Sequence, residues 1–381
     1  MTPLKLFIAL GTRPEAIKLA PVILAARANV GVAVTVCNTG QHRVLARDML
    51  KGFGITADLD LGVMREGQSL TELTTNVLSA IEHPLRNAKP DWVIVQGDTT
   101  TSFVAALAAF YQKIPVAHVE AGLRTGDRYS PWPEEINRRL NTILASAHFA
   151  PTEQSRNNLL AEGVSPDRIL VTGNTGIDAL HLAIRRIDED ATVLSEVASI
   201  FHGIGLDILS PNNAGKLVVV TAHRRENFGE GIAAICRAIV ALARRDPELQ
   251  VVFPVHPNPE VTGPVDRILR PQALPNIFAV APLDYLPFAA LLSRARLVIS
   301  DSGGIQEESI ALGKRLVILR HVTERVELLG QPGADVVGTD EAAILTAAEA
   351  ALAEQVTLRP SALFGDGTAS QRIIGWLNSP R

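Results

Sequence analysis

Short, continuously apolar runs alternate with amphipathic segments along almost the whole chain. The first half contains LKLFIAL, VAVTV, WVIVQ, PVAHV, HFA and ILVT, and the second contains KLVVVTA, QVVFPV, NIFAVA, RLVIS, RLVIL and ADVVG. A strand that is apolar at every position is buried on both faces, as in a parallel sheet covered by helices. We therefore predict an α/β fold made of two Rossmann-like doubly wound domains that face a cleft.

The division between the two domains is predicted at VTGNTGIDAL, where the last strand of the first half ends in a Gly/Asn turn. A length of 381 residues agrees with two domains of ordinary size. We assign residues 1–173 to an N-terminal domain and residues 174–361 to a C-terminal domain. The last helical segment, ASQRIIGWLNSP, could pack on either one.

Composition excludes several classes of protein. The chain is 47% hydrophobic and 20% charged, which excludes a disordered polymer, and its net charge of −4 gives no reason to expect nucleic acid as a partner. Cys37 and Cys236 lie in apolar segments and are predicted to be buried thiols of a reducing compartment. No apolar run approaches the roughly 18 residues of a membrane helix. We expect a soluble, cytoplasmic protein with no membrane partner.

Carboxylates follow several predicted strands of the first half, where parallel sheets bind their ligands. Asp98 follows WVIVQ, Glu120 follows PVAHV, and Glu134 lies in the first turn of a helix that Pro133 can begin. Like charges that share a cleft raise one another's pKa, which creates acid and base roles at neutral pH. Taken singly these acids have simpler interpretations, such as a surface pair between Glu134 and Arg138 four residues later.

Cationic side chains accompany the acids. Arg13 and Lys18 follow the first strand, and His223 follows the first strand of the second half. Together they would offset the charge of a diphosphate. The combination indicates a site that breaks a bond to a phosphate leaving group while it moves a proton. By contrast, we interpret four charged residues near the acids as structural or rim residues: His118, Arg124, Asp127 and Arg128.

The segment DSGGIQEES predicts a turn from Asp301 into a helix that begins near Ile305. Glycines allow a ligand to approach the backbone, and free amides at a helix start bind anions, so a diphosphate would fit. Glu307 and Glu308 would repel phosphate, whereas a carboxylate at this position suits ribose hydroxyls. The alternative is an ordinary helix with acids in its first turn. Glycine-rich NAD or ATP fingerprints and metal-ligand spacings are missing, so we predict no cofactor and no metal.

Longer motifs carry a family resemblance. The segments GTRPEAIKLAP, GDTTT, HVEAGLRTGDRYSPWPEEINR, TGNTGIDAL, HRREN, VHPNP and DSGGIQEE together resemble the non-hydrolysing UDP-N-acetylglucosamine 2-epimerases, from about residue 6 to residue 375. The resemblance implies the two-domain glycosyltransferase-B fold, in which residues 362–381 pack back on the first domain. It also implies a UDP-sugar substrate, a homodimer and a place in polysaccharide biosynthesis.

The implied reaction is reversible inversion at C2 of UDP-GlcNAc to give UDP-ManNAc, by elimination of UDP to 2-acetamidoglucal and re-addition. By resemblance, the acid/base candidates are Asp98, Glu120 and Glu134, and His223 lies near the leaving diphosphate. The remaining matches are substrate-binding positions: Arg13, Lys18 and Arg138 in the first half, Ser302, Gly303 and Gly304 at the diphosphate turn, Glu308 at the ribose, Arg325 on the nucleotide side and Phe288 near the uracil.

The chain departs from the family pattern at two positions. Val326 replaces a proline after Arg325, and Val44 replaces a polar side chain near which some members bind an activating second UDP-GlcNAc.

Close kin act on UDP-2,3-diacetamido sugar acids, and hydrolysing relatives release free ManNAc. A glycosyltransferase of the same fold and a UDP-sugar-binding module without chemistry are the alternatives from other classes.

Overall fold

The computed structural model describes residues 2–210, 213, 215–321, 325–354 and 358–379. The chain divides into two compact units. Unit 1 comprises Met1–His181 with Phe364–Arg381, and unit 2 comprises Leu182–Leu363. None of the helices in the described ranges is long and apolar enough to cross a membrane.

Unit 1 is built on a seven-stranded parallel sheet in the order β3-β2-β1-β4-β5-β6-β7. The strands are β1 (Leu4–Leu10), β2 (Val32–Asn38), β3 (Leu59–Asp60), β4 (Trp92–Gln96), β5 (Val116–Val119), β6 (Ala147–Ala150) and β7 (Ile169–Val171). The helices that begin in this unit are α1 (Arg13–Arg27), α2 (Arg43–Gly52), α3 (Leu70–Ala88), α4 (Thr100–Tyr111), α5 (Glu134–Leu144), α6 (Glu153–Ala161) and α7 (Thr175–Glu189). The two-residue β3 is the strand that the apolar pattern did not predict.

Unit 2 repeats the arrangement with a six-stranded parallel sheet in the order β10-β9-β8-β11-β12-β13. Its strands are β8 (Leu217–Thr221), β9 (Gln250–Pro254), β10 (Ile277–Val280), β11 (Leu297–Ser300), β12 (Arg315–Ile318) and β13 (Ala334–Val336). Its helices are α8 (Ala191–His202), α9 (Glu230–Arg245), α10 (Pro259–Pro264), α11 (Tyr285–Arg294), α12 (Gly303–Ala311) and α13 (Glu341–Ala353). Short helical turns occupy Pro166–Arg168 in unit 1 and Arg225–Asn227, Val265–Leu269, Arg270–Gln272 and Val326–Leu328 in unit 2.

Burial explains why the apolar runs form central strands. All five residues of β8 are buried, and so are all four of β5, β6, β11 and β12. These strands are covered on both faces, which is the environment that their continuous apolar sequence requires. The prediction of an α/β fold with two doubly wound parallel sheets is confirmed.

The C-terminal helix α14 (Ala369–Leu377) belongs to unit 1. The carboxylate of Asp178 accepts hydrogen bonds from the amides of Ala369 (3.2 Å) and Ser370 (2.7 Å), where a negative charge complements the start of a helix. At the other end, Trp376 makes edge-to-face contacts with Trp92 and Phe149. A cap and an aromatic cluster therefore hold this helix on the first sheet.

Each sheet has a point at which the strand order reverses. In unit 1 it lies between β1 and β4, and in unit 2 between β8 and β11. Adjacent connections leave such a point in opposite directions, which opens a crevice outside the carboxyl ends of the strands. The loops that follow these four strands are therefore the places to examine for a site in each unit.

Candidate active site

The carboxylate of Glu120 lies just beyond β5 and forms a buried ion pair with Lys18 of α1. The Lys18 Nζ is 2.7 Å from Glu120 Oε1 and 2.6 Å from Oε2, and the Glu120 side chain is 5% exposed. Gln96 and Asn174 also donate hydrogen bonds to this carboxylate. Glu120 has a φ of +62°, a region that side chains other than glycine rarely occupy. Such backbone strain at a charged residue is typical of a functional position.

The carboxylate of Asp98 follows β4 and pairs with Arg138 of α5. The distance from Arg138 Nη2 to Asp98 Oδ2 is 2.6 Å. Asn137 of the same helix donates a hydrogen bond of 2.9 Å to the Asp98 carbonyl, and Asn141 donates one of 3.2 Å to the Gly97 carbonyl. Three successive inward positions of α5 therefore hold the loop that carries Asp98.

Glu134 begins α5, as Pro133 predicts, and its Oε2 is buried without a hydrogen-bond partner among the described residues. The alternative, a surface pair with Arg138, is not formed, because Arg138 contacts Asp98 and Glu135 instead. Glu135 is completely buried and accepts a hydrogen bond of 3.1 Å from the Thr125 amide. It thereby secures the loop before α5, while its neighbour Glu134 keeps an unsatisfied oxygen.

These contacts place Asp98 and Glu120 in neighbouring loops of unit 1, and the helix that begins at Glu134 binds the Asp98 loop. A Cβ at Gly97 would lie 3.8 Å from Glu120 Oε2, so the Glu120 carboxylate lies beside the residue that precedes Asp98. The same loop is bound by α5, which begins at Glu134. Lys18 lies at this cluster through Glu120, and Arg13 lies half-buried at the start of α1. The arrangement places acids and cations at the switch point of the first sheet.

Glu15 is a buried carboxyl group of this region that the sequence did not single out. Its Oε2 accepts hydrogen bonds from the Gly11 amide (3.0 Å) and the Thr12 amide (2.9 Å), and its Oε1 accepts one from the Thr99 hydroxyl (2.7 Å). Burial raises the pKa of Glu15 to about 7, although these hydrogen bonds lower it. Glu15 thus joins the loop after β1 to the loop after β4, next to Asp98. The capping box T-x-x-E was its only signal in the sequence.

The other charged residues around these acids have structural contacts. His118 is completely buried in β5, and burial lowers its pKa to about 4. Arg124 makes two hydrogen bonds of 2.7 Å to Glu162, and Asp127 and Arg128 are exposed. These positions agree with their interpretation as structural or rim residues.

In unit 2, His223 and Asp301 occupy the loops on either side of the switch point. Asp301 Oδ2 accepts hydrogen bonds from the backbone amides of His223 and Arg224, both at 2.8 Å. The His223 ring stacks on His256 with a centroid distance of 5.6 Å. Burial lowers the pKa of His223, and Asp301 opposes that shift. The predicted histidine is therefore held next to a buried carboxylate.

Helix α12 begins at Gly303, two residues earlier than the predicted start near Ile305. Ser302 is its N-cap residue and its carbonyl accepts a hydrogen bond from the Gln306 amide, so both glycines belong to the first turn. The early start is possible because neither glycine has a positive φ. A Cβ at Gly303 would lie 3.1 Å from the Arg325 guanidinium, whereas a Cβ at Gly304 would meet open space. In the first turn, Gly303 therefore packs against Arg325, whereas Gly304 faces open space.

One of the two acids of α12, Glu307, forms an ion pair with Arg325. The Arg325 Nε donates a hydrogen bond of 2.7 Å to Glu307 Oε1, and both side chains are nearly buried. This pair removes the repulsion that Glu307 would exert on a phosphate. Glu308 lies near Tyr285 of α11, whose pKa is raised well above 10 by burial and then by Glu308. Phe288 lies half-buried one turn further along α11.

Comparisons with known proteins identify relatives of the chain. The UDP-N-acetylglucosamine 2-epimerase family profile matches residues 24–378. The UDP-N-acetylglucosamine 2-epimerases of Yersinia pestis and Escherichia coli K12 are similar to the chain, with 46% identity over 97% of both proteins and 44% over 99% of both. The crystal structure of the Neisseria meningitidis UDP-GlcNAc 2-epimerase bound to UDP-GlcNAc aligns with a TM-score of 0.85 and 43% identity, over 99% of each chain. Matches of this extent show that the chain belongs to the UDP-N-acetylglucosamine 2-epimerase family.

Proposed function

We propose that the protein interconverts UDP-GlcNAc and UDP-ManNAc by inversion at C2 of the sugar. The proposal is supported by two neighbouring carboxylates after β4 and β5, Asp98 paired with Arg138 and Glu120 paired with Lys18, and by the helix that begins at Glu134 and binds the Asp98 loop. Full-length similarity to proteins named as epimerases of this substrate supports the same conclusion. A module that only binds a UDP-sugar would not need these acids.

The proposed reaction proceeds by elimination and re-addition, because the C2 hydrogen of the sugar is not acidic enough for simple deprotonation. A base removes the C2 proton while the bond between C1 and the β-phosphate oxygen breaks, which gives 2-acetamidoglucal and UDP. Re-addition of UDP to C1 and protonation of C2 on the other face give the epimer. The hydrogen leaves and returns as a proton, so this balance requires no redox cofactor.

We assign proton transfer first to Asp98 and Glu134. Glu134 Oε2 makes no hydrogen bond within the described part of the chain, and the Asp98 side chain is paired through Oδ2 and is 27% exposed. Arg138 Nη2 lies 2.6 Å from Asp98 Oδ2 and orients this carboxylate. Glu120 is the third member, and its two oxygens hold the Lys18 ammonium in place. Lys18 and Arg13 supply positive charge for the departing diphosphate.

We propose that unit 2 binds the nucleotide part of a UDP-sugar. Ser302, Gly303 and Gly304 offer the amides of a helix start to the diphosphate, and Arg325 lies against Gly303 with its charge directed by Glu307. Glu308 is assigned to the ribose and Phe288 to the uracil. His223 is assigned to the diphosphate, where a protonated imidazole would stabilise the charge that develops as UDP leaves.

Incubation with UDP-GlcNAc alone in deuterated water tests the proposal. We expect UDP-ManNAc to form and deuterium to appear at C2, as followed by NMR, without added acceptor, NAD or metal. Free ManNAc would indicate a hydrolysing enzyme. An unchanged spectrum would contradict the proposal and favour a transferase, which needs an acceptor, or a UDP-2,3-diacetamido sugar acid as substrate.

The variant Asp98→Asn separates a chemical role from a structural one. It should abolish turnover and leave UDP affinity, measured by calorimetry, largely intact, because the nucleotide contacts assigned to unit 2 are unchanged. Asp127→Asn is a matched control, since it removes an exposed acid of the same unit. Unfolding of Asp98→Asn would show that this carboxylate is structural.

We also propose that the protein is a cytoplasmic homodimer that supplies polysaccharide biosynthesis. Both cysteines are buried and unpaired, which suits a reducing compartment. Phe110, Tyr111 and Ile143 are more than half exposed at the ends of α4 and α5, two helices that pack together. Large exposed apolar side chains often mark an interface, and light scattering would give the mass in solution.

A further inference from the structure

The carboxylate of Asp301 controls the backbone of the loop that carries His223. Asp301 is completely buried after β11. Besides the two backbone amides of His223 and Arg224, its Oδ2 accepts a hydrogen bond of 3.0 Å from Asn227 Nδ2. All three donors come from the loop after β8, across the switch point of the second sheet. The loop is therefore held by a charge from the neighbouring strand.

The second oxygen of this carboxylate faces the imidazole of His223. Asp301 Oδ1 is buried and makes no hydrogen bond within the described residues, and it lies 3.5 Å from His223 Nδ1. A buried carboxylate oxygen without a donor is costly and uncommon in native proteins. A small rotation of the His223 ring would give it a hydrogen bond from Nδ1–H. The unsatisfied oxygen and the ring nitrogen next to it thus complement each other.

We propose that Asp301 is a positioning residue that holds the His223 ring through Nδ1, so that Nε2 faces the leaving diphosphate and donates to it when the ring is protonated. A carboxylate that accepts from one ring nitrogen fixes both the tautomer and the orientation of the imidazole. The inference rests on the proposed function only for the identity of the ligand. The contact between Asp301 and His223 is present in the protein alone.

The charged groups around His223 make this role measurable. Within the described part of the chain, three titratable or charged groups act on the ring: Asp301, Arg224 and His256. Burial lowers the pKa of His223 most strongly, and Arg224 and His256 lower it further, whereas Asp301 raises it. Loss of the Asp301 charge would leave only influences that disfavour the protonated ring.

The test compares Asp301→Asn with the control Thr221→Val. Thr221 joins the same two strand ends through a hydrogen bond of 2.7 Å between its hydroxyl and that of Ser300, but within the described residues it makes no hydrogen bond with the His223 ring. The pKa and tautomer of His223 are measured by NMR on ligand-free protein labelled with ¹⁵N-histidine, with His223→Gln for assignment. We expect a lower His223 pKa in Asp301→Asn and no change in Thr221→Val. We also expect kcat for UDP-GlcNAc to fall about 100-fold in Asp301→Asn, with little change in KM, because the ring is misplaced.

Each outcome decides the inference. An unchanged His223 pKa in Asp301→Asn, or an equal loss of kcat in Thr221→Val, would overturn it. If Asp301→Asn does not fold, the wild-type spectrum is sufficient: the proton of the neutral ring must reside on Nδ1, and a ring protonated on Nε2 would contradict the proposal. A wild-type protein that fails to epimerise UDP-GlcNAc would refute the proposed function, while these spectra would still decide the role of Asp301.

Discussion

The substitution Glu15→Gln should remove a specific pH dependence from the stability of unit 1. The folded-state pKa of Glu15 is about 7, against 4.5 for an ordinary glutamate, because the side chain is fully buried. A raised carboxyl pKa means that the folded state binds the proton more tightly than the unfolded state. The associated stability is therefore complete below pH 4.5 and is lost as the pH rises through about 7.

The magnitude follows from the size of the shift. A rise in the pKa from 4.5 to about 7 corresponds to a loss of about 3 kcal/mol in the free energy of unfolding between pH 4.5 and pH 8. Glutamine keeps the size of the side chain but cannot ionise. Its carbonyl oxygen can accept from the Gly11 and Thr12 amides while its NH2 group faces the Thr99 hydroxyl, so the substitution costs about 1 kcal/mol at every pH. The free energy of unfolding of the variant, relative to that of the wild type, should therefore increase by about 3 kcal/mol as the pH rises from 4.5 to 8.

Urea unfolding followed by tryptophan fluorescence provides the assay. All three tryptophans, Trp92, Trp132 and Trp376, lie in unit 1, so the signal reports the unit that contains Glu15. The variant Glu66→Gln, which changes an exposed acid of the same unit, controls for the loss of one charge. A stability difference between wild type and Glu15→Gln that stays constant from pH 5 to pH 8 would refute the reasoning.

Two further substitutions give outcomes that can be measured directly. Gly303→Ala should lower thermal stability and weaken UDP binding about tenfold, a free-energy change of about 1.4 kcal/mol, because its Cβ would lie 3.1 Å from the Arg325 guanidinium. Gly304→Ala should not lower thermal stability, because the space around its Cβ is open. Equal melting temperatures for the two variants would contradict this prediction. Burial lowers the pKa of His148 to about 3, so the free energy of unfolding falls by up to about 1.4 kcal/mol per pH unit as the pH drops below 6.5. The variant His148→Leu should therefore lose stability less steeply in acid. Identical acid-unfolding curves for His148→Leu and wild type would show that this histidine is not buried as described.

Much of the fold could be predicted because it depends on burial along the chain. Central strands such as β8 and β11 are apolar at nearly every position, and parallel sheets are the structures that bury such strands on both faces. The short β3 lacked this signal, since Leu59–Asp60 is one apolar residue followed by an acid. The start of α12 was placed two residues late because glycines were interpreted as a turn, and these glycines have helical backbone angles instead.

The positions of Asp98 and Glu120 after β4 and β5 could be predicted from the sequence, whereas the contacts of these side chains could not. Both residues follow strands, and sheet topology alone brings such positions together. The pairing of Lys18 with Glu120 joins residues 102 positions apart, and no spacing rule predicts it. Glu15 looked like an ordinary capping residue, because its burial depends on how the loops after β1 and β4 pack.

Cleavage of the bond between C1 and the β-phosphate oxygen is the central chemical claim, and positional isotope exchange tests it directly. UDP-GlcNAc is prepared with ¹⁸O in the bridging position between C1 and the β-phosphorus and is incubated with the protein. We expect ³¹P NMR to show the label moving into non-bridging positions of the β-phosphate during epimerisation, because the β-phosphate of UDP can rotate before re-addition. Epimerisation with the label fixed in the bridge would contradict elimination and require inversion at C2 without loss of UDP.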